Sequence, residues 1–204
     1  MTDGGYSSDV AFTPSVKAVQ ARKGSRDHYL RMEQNGSWAT GITPDLGSFI
    51  EAQTSVFFAT VNAAGQPYVQ HRGGPPGFLR VIDEHTLGFV DYAGNRQYIT
   101  LGNLADNPKT FLFLIDYAHR QRVKIWGTAR VVEAAADLTA KLMPDGYRAR
   151  AEQVILFTVS AWNANCAQHI PQRFDAADVA AALAARDRRI EALEMEVKRL
   201  RGEA

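Results

Sequence analysis

The chain has 204 residues, of which 46% are hydrophobic and 22% are charged, and this composition excludes extended disorder. Its formal net charge is +1, from 23 basic and 22 acidic residues, which argues against a nucleic-acid-binding protein. Cys166 is the only cysteine, so no intramolecular disulfide can form. No apolar run approaches the ~20 residues that span a bilayer, and no signal peptide is recognisable, so we expect a cytoplasmic protein with no membrane partner.

The first segment, residues 1–44, is expected to be a polar N-terminal arm that contains some helix, because residues 14–33 show a weak helical pattern. A clearer helix start follows it. Thr43 can cap a helix, Pro44 suits the first helical position, and Asp45 lies where the helix dipole favours an acidic residue.

Residues 45–174 have the composition of a β domain. Seven runs rich in β-branched and aromatic residues are joined mostly by short turns: SVFFATVN, PYVQHR, FLRVID, TLGFVDY, TFLFLID, RVKIWGTARVVE and VILFTVSAW. This spacing predicts an antiparallel sheet closed as a barrel rather than a parallel α/β fold. A short helix is expected from Ala134 to about Pro144. The predicted class is therefore mainly β (α+β), with six or seven strands and flanking helices.

The last segment, residues 175–204, is predicted to be an amphipathic helix with a coiled-coil pattern. Its apolar residues alternate spacings of four and three, and Arg186 is the one polar break. The apolar positions are Val179, Leu183, Ile190, Leu193, Val197 and Leu200. An apolar seam this narrow usually needs a partner helix. Pairing with a second copy and packing on the chain's own barrel are both open.

Two segments of the β domain carry residues suited to binding an anion. Residues 71–80 (HRGGPPGFLR) combine glycines, which let backbone N–H groups approach a ligand, with arginines, whose planar fork suits phosphate. Residues 91–98 (DYAGNRQY) follow a strand and open a predicted helix that Asn95 is expected to cap. Free N–H groups there, beside Arg96, would form an anion site. A bulged hairpin and an ordinary capped helix are the alternatives.

A third polar segment, residues 162–173 (WNANCAQHIPQR), leaves the last predicted strand. Such polar density directly after a buried strand predicts a binding site, and a plain linker is the alternative. Cys166 and His169 could form a nucleophile pair, but a lone thiol is more often a buried apolar group. No second cysteine or nearby histidine completes a zinc set, so no metal is expected.

In chain order, several motifs resemble the FMN-binding split-barrel family named for pyridoxamine 5'-phosphate oxidase. They are AAGQP, a strand ending in HR, GPPGFLRVID, TLGFVDYAGNRQYITLGNLADNP and FLFLIDYAHRQRVKIWGTARVV. The resemblance covers about residues 45–174, and GNRQ followed by a short helix and an Asn-Pro turn is its most specific part. Residues 165–170 resemble a subgroup of general flavoproteins in that family. The resemblance implies a split β-barrel and a homodimer whose two subunits both contact FMN.

The resemblance also implies a set of cofactor-binding residues. They are His71, Arg72, Arg80, Val90, Asp91, Asn95, Arg96, Gln97, Arg122, Lys124, Trp162, Gln168, His169 and Arg173. Arg96 and Gln97 would hold the phosphate, although the oxidases have a basic residue at the position of Gln97. Arg72 and Arg80 match basic residues near the phosphate or the flavin pyrimidine.

The remaining implied residues surround the flavin ring. Val90 and Asp91 match a strand end beside the isoalloxazine. Arg122 and Lys124 match a strand that reaches the flavin from the neighbouring subunit. The four residues taken from the segment 162–173 would close the ring end of the pocket.

The chain departs from the true oxidases near its C-terminus. They carry an Arg-x-His-x-Arg type signature that grips the vitamin phosphate, whereas this chain reads NANCAQHIPQRF before the heptad helix. We therefore expect an FMN-dependent oxidoreductase that moves hydride or electrons between FMN and a different, unidentified small molecule. The alternatives are a non-catalytic flavin carrier or sensor, and the same barrel holding a deazaflavin or a haem. Haem would need an axial ligand such as His71 or His169.

Overall fold

A computed structural model of the chain describes residues 5–165 and 168–203. The chain divides into two compact units. The first unit consists of the described parts of Met1–Ile115 and Arg122–Cys166, and the second consists of the described parts of Asp116–Gln121 and Ala167–Ala204. The Cys166–His169 pair considered above involves a cysteine that lies outside the described residues.

The N-terminal arm contains a short 3₁₀ helix, Ser7–Val10, followed by α1 (Pro14–Arg22) and α2 (Arg26–Gln34). The weak pattern over residues 14–33 is therefore two helices rather than one. They are separated at Gly24, whose φ of 78° is a left-handed conformation that glycine adopts without strain.

The arm is organised around one buried carboxylate. The side chain of Glu33 is fully buried, and it forms an ion pair with Arg26. Lys17 Nζ lies 3.5 Å from the same carboxylate, and the Ser8 hydroxyl donates to it at 3.3 Å. Because an uncompensated buried charge is strongly destabilising, these partners hold the arm's helices together.

The helix start predicted at residue 43 is confirmed. Helix α3 spans Pro44–Ala52, and the Thr43 hydroxyl accepts a hydrogen bond from the Leu46 N–H at 3.3 Å. The helix buries Leu46 and Ile50, which share one face of it.

Seven strands of the described chain form one antiparallel sheet in the order β2-β1-β5-β6-β7-β4-β3. They are β1 (Ser55–Val61), β2 (Pro67–Gly73), β3 (Leu79–Asp83), β4 (Thr86–Tyr92), β5 (Lys109–Asp116), β6 (Gln121–Val132) and β7 (Ala151–Asn165). The short turns of the sequence join three pairs of consecutive strands, β1–β2, β3–β4 and β5–β6, and all three pairs are neighbours in the sheet, as hairpins require. The predicted fold class, a mainly β split barrel with flanking helices, is confirmed.

The barrel core is built from the alternate residues of these strands. Burial alternates along β1 and along β5 as far as Ile115, as the twofold period of a strand requires. Phe58, Phe89, Leu112, Ile125 and Phe157 are at most 1% exposed. Removing each of these side chains from water contributes about 1.5–3 kcal/mol, so the core is the main source of stability.

Three more helices follow the strands: α4 (Ile99–Asp106), α5 (Ala136–Leu142) and α6 (Ala176–Arg201). Helices α5 and α6 lie where the sequence predicts them. Strand β7 is longer than expected, because it continues to Asn165 and pairs with β6 as far as Arg122. No helix within the described ranges combines the length and the apolar character needed to cross a bilayer.

Gly127 is expected to be essential for the β6–β7 pairing. A Cβ at this position would lie 2.1 Å from the Thr158 carbonyl oxygen and 2.6 Å from a ring carbon of Phe157, at a point where the register shifts. We expect Gly127→Ala to lower the free energy of unfolding by about 3 kcal/mol, measured by urea denaturation.

The matched control is Gly102→Ala in helix α4. A Cβ there meets nothing within 4 Å, so alanine should be neutral or stabilise the protein by about 0.5–1 kcal/mol. Equal unfolding curves for the two variants would show that the clash at Gly127 is relieved without cost.

Candidate functional site

A largely buried ion pair in the first unit joins strands β2 and β4, which are not neighbours in the sheet. Arg72 on β2 and Asp91 on β4 form an ion pair whose side chains are 15% and 6% exposed. Gln153 on β7 donates its amide N–H to the second Asp91 oxygen at 2.8 Å. The carboxylate is therefore satisfied on both oxygens, and it orients the Arg72 guanidinium between the two strands.

Two polar atoms beside this ion pair are buried without a partner in the described chain. They are Arg72 Nε and the Tyr92 hydroxyl. Burial, with Tyr147 nearby, raises the pKa of Tyr92 above its ordinary value, so its phenol stays protonated at neutral pH. The rings of Tyr92 and Tyr147 meet edge to face, with their centroids 5.3 Å apart. Both atoms are donors without an acceptor, as expected of a site that receives one from a ligand.

The loop between β4 and α4 has an unusual backbone. Arg96 and Tyr98 have φ values of 60° and 53°, a left-handed conformation that costs residues other than glycine about 1–3 kcal/mol each. The Arg96 Nε donates to the Tyr98 hydroxyl at 3.2 Å. Backbone strain of this kind gathers at ligand-binding segments, where the surrounding structure maintains it.

The expectation that Asn95 caps the following helix is wrong. The Asn95 side chain accepts a hydrogen bond from the Gln97 N–H at 3.2 Å, which makes a local turn, and α4 begins only at Ile99. Tyr98 occupies the cap position and makes no side-chain cap bond. The helix start is therefore left without a side-chain acceptor for its first N–H groups.

Two adjoining cavities meet at Arg72 and Tyr92, and we call them together the seam cavity. The first, of about 200 Å³, lies between β2, β4 and the loop that leads to α4. The second is lined by the ends of β2 and β4 together with Phe78 and Phe89. The seam cavity brings together seven of the implied residues: His71, Arg72, Val90, Asp91, Asn95, Arg96 and Gln97.

Other implied residues of the first unit line neither part of the seam cavity. Arg80 donates its Nε to the Gly77 carbonyl at 3.2 Å. Arg122 and Lys124 lie on β6, and Arg122 Nε is buried without a partner among the described residues. The Trp162 indole donates to the Gly41 carbonyl at 2.8 Å, so this side chain holds the end of the N-terminal arm against β7.

Three implied residues belong to the second unit. Gln168 and His169 are exposed, and His169 has a left-handed φ of 63°. The Arg173 guanidinium lies over the Tyr117 ring, 4.8 Å from its centroid. Their roles at a cofactor stay predictions.

The site contains residues that the sequence did not single out. Gln153 is one, and its signal was a polar residue at the start of a strongly apolar strand run. Gln70 and Thr100 are two more, because the Thr100 hydroxyl donates to Gln70 at 2.8 Å and ties α4 to β2. The described residues contain no group of three or more His, Cys, Asp or Glu side chains that could hold a metal.

Solved structures with TM-scores of 0.50 share this fold at low sequence identity. HupZ from Group A Streptococcus is 22% identical over 61% of this chain and 99% of its own, with a TM-score of 0.50. An FMN-binding protein from Syntrophomonas wolfei is 10% identical over 72% of this chain and 97% of its own, also at 0.50. HutZ, a haem storage protein from Vibrio cholerae, is 14% identical over 61% of this chain and 93% of its own, at 0.41.

The sequence comparisons place the chain more directly. Among curated proteins none matches it significantly. The sequence profile of the pyridoxamine 5'-phosphate oxidase family matches residues 42–166, which include helix α3 and the whole sheet together with the seam cavity. The chain belongs to the pyridoxamine 5'-phosphate oxidase family.

Proposed function

We propose that this chain is an FMN-binding flavoprotein and that the seam cavity holds the phosphorylated cofactor. The observation that carries the proposal is the Arg72–Asp91 ion pair, because it holds at the cavity lining a guanidinium whose Nε has no partner among the described residues. A guanidinium of this kind suits an anionic or carbonyl-rich ligand.

The charges that line the seam cavity are consistent with an anionic ligand. Its two carboxylates, Asp91 and Glu152, both have cationic partners, because Arg72 binds the first and Arg150 lies 3.5 Å from the second. Arg96 pairs with no carboxylate within the described chain. Its hydrogen bond to the Tyr98 hydroxyl raises the pKa of Arg96, so the guanidinium stays charged and available to a phosphate.

The start of α4 adds a second favourable feature for a phosphate. The N-terminus of a helix carries a partial positive charge and unpaired N–H groups, which bind anions. No side chain caps this helix start, and the Arg96–Gln97 segment directly precedes it. These groups would hold the phosphate, while the hydrogen-bonded pair of Gln70 and Thr100 fixes α4 against β2.

The second part of the seam cavity suits a flat aromatic ring. Phe78, Phe89 and Val90 supply an apolar wall, and Arg72 and Tyr92 supply donors beside it. FMN, when bound, supplies the chemistry of hydride or single-electron transfer. Asp91 would keep Arg72 oriented, and Arg72 would stabilise the negative charge that a reduced ring carries.

A homodimer is part of the proposal. The outer sides of β1 and β5 carry the half-buried aromatic side chains Phe57, Phe111 and Phe113, and beside them Trp126 of β6 is already stacked on Trp38 of the N-terminal arm. The rings of Phe57 and Phe113 lie 6.4 Å apart, so the surface is continuous across β1 and β5. A second copy on this surface would cover these rings, and its Arg122 and Lys124 would then be available to the cofactor of the first.

A direct test compares FMN with riboflavin, which lacks the phosphate. We expect the purified protein to show flavin absorbance or to take up added FMN, and to bind FMN at least ~10-fold more tightly than riboflavin, because the phosphate gains charge-assisted hydrogen bonds. Flavin fluorescence quenching gives both affinities. Equal affinities, or a Soret band instead of flavin absorbance, would contradict the proposal.

The same FMN-loaded protein separates an enzyme from a carrier. Under anaerobic conditions, an oxidoreductase should lose its flavin absorbance when a reduced nicotinamide is added, because hydride transfer reduces the ring. The control is free FMN at the same concentration. A bound flavin that stays oxidised with every nicotinamide would support the carrier.

Arg96→Ala tests the phosphate end of the seam cavity. We expect FMN affinity to fall by about 10-fold, since one charge-assisted contact is lost, while riboflavin affinity stays unchanged. The matched control is Arg130→Ala, an exposed arginine on β6 outside the cavity lining. Unchanged FMN affinity in Arg96→Ala would remove this residue from the phosphate site.

The Arg72–Asp91 ion pair should also stabilise the fold. We expect Arg72→Met to lower the free energy of unfolding by about 3 kcal/mol, because Asp91 is then a buried charge without its cation. The double variant Arg72→Met/Asp91→Leu should recover most of this loss but not bind FMN. Urea unfolding and flavin titration measure the two effects, and a single variant as stable as the native chain would show that the pair is not buried.

A further inference from the structure

Helix α6 begins and ends with the residues expected of a stable helix, and no face of it is buried within the described chain. Asp178 lies in its first turn, three basic residues lie in its last turn, and Gly202 ends it with a left-handed φ of 68°. These ends suit the helix dipole and the usual glycine stop. Every residue of α6 is exposed.

The uncovered face of α6 carries an apolar seam that only Arg186 interrupts. Its seam residues are 43–70% exposed: Val179, Leu183, Ile190, Leu193, Val197 and Leu200. An isolated helix is marginally stable in water, and most helical stability in proteins comes from packing an apolar face. We therefore expect another apolar surface to pack against the seam.

The seam residues indicate how many helices pair. In the heptad, Leu183, Ile190 and Val197 occupy the first core position (a), and Val179, Arg186, Leu193 and Leu200 occupy the second (d). Two of the three a residues are β-branched, and two of the four d residues are leucine. This combination favours two parallel strands over three or four.

The flanking charges indicate the direction of the partner. In a parallel pair, each g residue faces the e residue five positions later on the other helix. Arg189 then faces Glu194 of the second copy, and Glu196 faces Arg201 of the second copy. Both contacts join opposite charges, and twofold symmetry repeats each of them. In the parallel arrangement, the charges on one copy of α6 therefore match those on the other copy.

The one polar core residue fits the same arrangement. In a parallel pair, a d side chain packs beside the e residue that follows it on the other helix. Arg186 would therefore face Arg186 of the second copy, as every d residue faces its own copy, and would lie beside Asp187 of the second copy, whose opposite charge offsets that repulsion. Within the described chain, neither residue has an ion-pair partner. A polar core residue specifies register, because other alignments place it against apolar side chains.

We propose that α6 is a dimerisation helix that forms a parallel, in-register, two-stranded coiled coil with α6 of a second copy of this chain. The residues of this interface are different from those of the aromatic surface on the barrel strands, and the pairing does not depend on a bound flavin. It gives the protein a second means of holding two subunits together.

Cysteine cross-linking of the full chain tests the direction of pairing. In a Cys166→Ser background, Leu200→Cys should form a covalent dimer under mild oxidation, because two d positions face each other in a parallel pair. The control is Met195→Cys, on the opposite side of the same helix, which should stay monomeric on a non-reducing gel. Failure of Leu200→Cys to cross-link would overturn the proposal.

That failure is expected for every other occupant of the seam. In an antiparallel pair, the two copies of residue 200 lie at opposite ends of a 26-residue helix, ~39 Å long. A helix packed on its own chain or on a different protein also brings no two copies of this residue together. Loss of FMN binding, by contrast, would leave the cross-link unchanged.

Charge reversal tests the register. Arg189→Glu in the Leu200→Cys chain should slow disulfide formation by about 5-fold, because two attractive contacts become repulsive. Adding Glu194→Arg should restore the rate. The two residues are five positions apart, so they are not neighbours on one helix, and the rescue reports on contact between helices. An unchanged rate, or no rescue, would contradict the parallel register.

Discussion

The site depends on the buried ion pair of Arg72 and Asp91, which joins two strands that are not neighbours in the sheet. A buried carboxylate needs its charge compensated and its oxygens occupied, and here Arg72 and Gln153 do both. This requirement holds β2, β4 and β7 in one arrangement. Arg72 also lines the seam cavity, and its buried Nε has no acceptor among the described residues. The same contact therefore supports the barrel and orients the group suited to a ligand.

The loop beside the ion pair, unlike the ion pair itself, contains features that are locally unfavourable. Arg96 and Tyr98 adopt left-handed conformations without being glycine, and α4 begins without a side-chain cap. Each feature costs free energy that the strands β2 and β4 must offset. Conflicts between local preference and tertiary structure are expected at functional sites, since function rather than stability selects them. This strained segment contains Arg96, which forms no ion pair with any carboxylate of the described residues.

Membership of the pyridoxamine 5'-phosphate oxidase family fixes the fold and leaves the reaction open, because one fold supports many chemistries. The segment that would grip a vitamin phosphate in the true oxidases is different here, and a heptad helix follows it. The barrel supplies a polar seam cavity with an apolar wall. The second unit supplies an exposed helix with its own pattern of charge. The seam cavity and the helix are formed by different segments of the sequence, and the chemistry proposed for one does not rest on the other.

Residue periodicity and turn chemistry were enough to predict seven strands, three hairpins, α3 and α6, because these signals act between neighbours in the chain. The family resemblance, rather than these local signals, indicated seven residues of the seam cavity. Neither source predicted the late start of α4, the extension of β7, or Gln153 as the partner of Asp91. Those features arise from contacts between segments far apart in the sequence, such as residues 91 and 153. Only the folded sheet brings such segments together, and burial then decides which polar groups must pair.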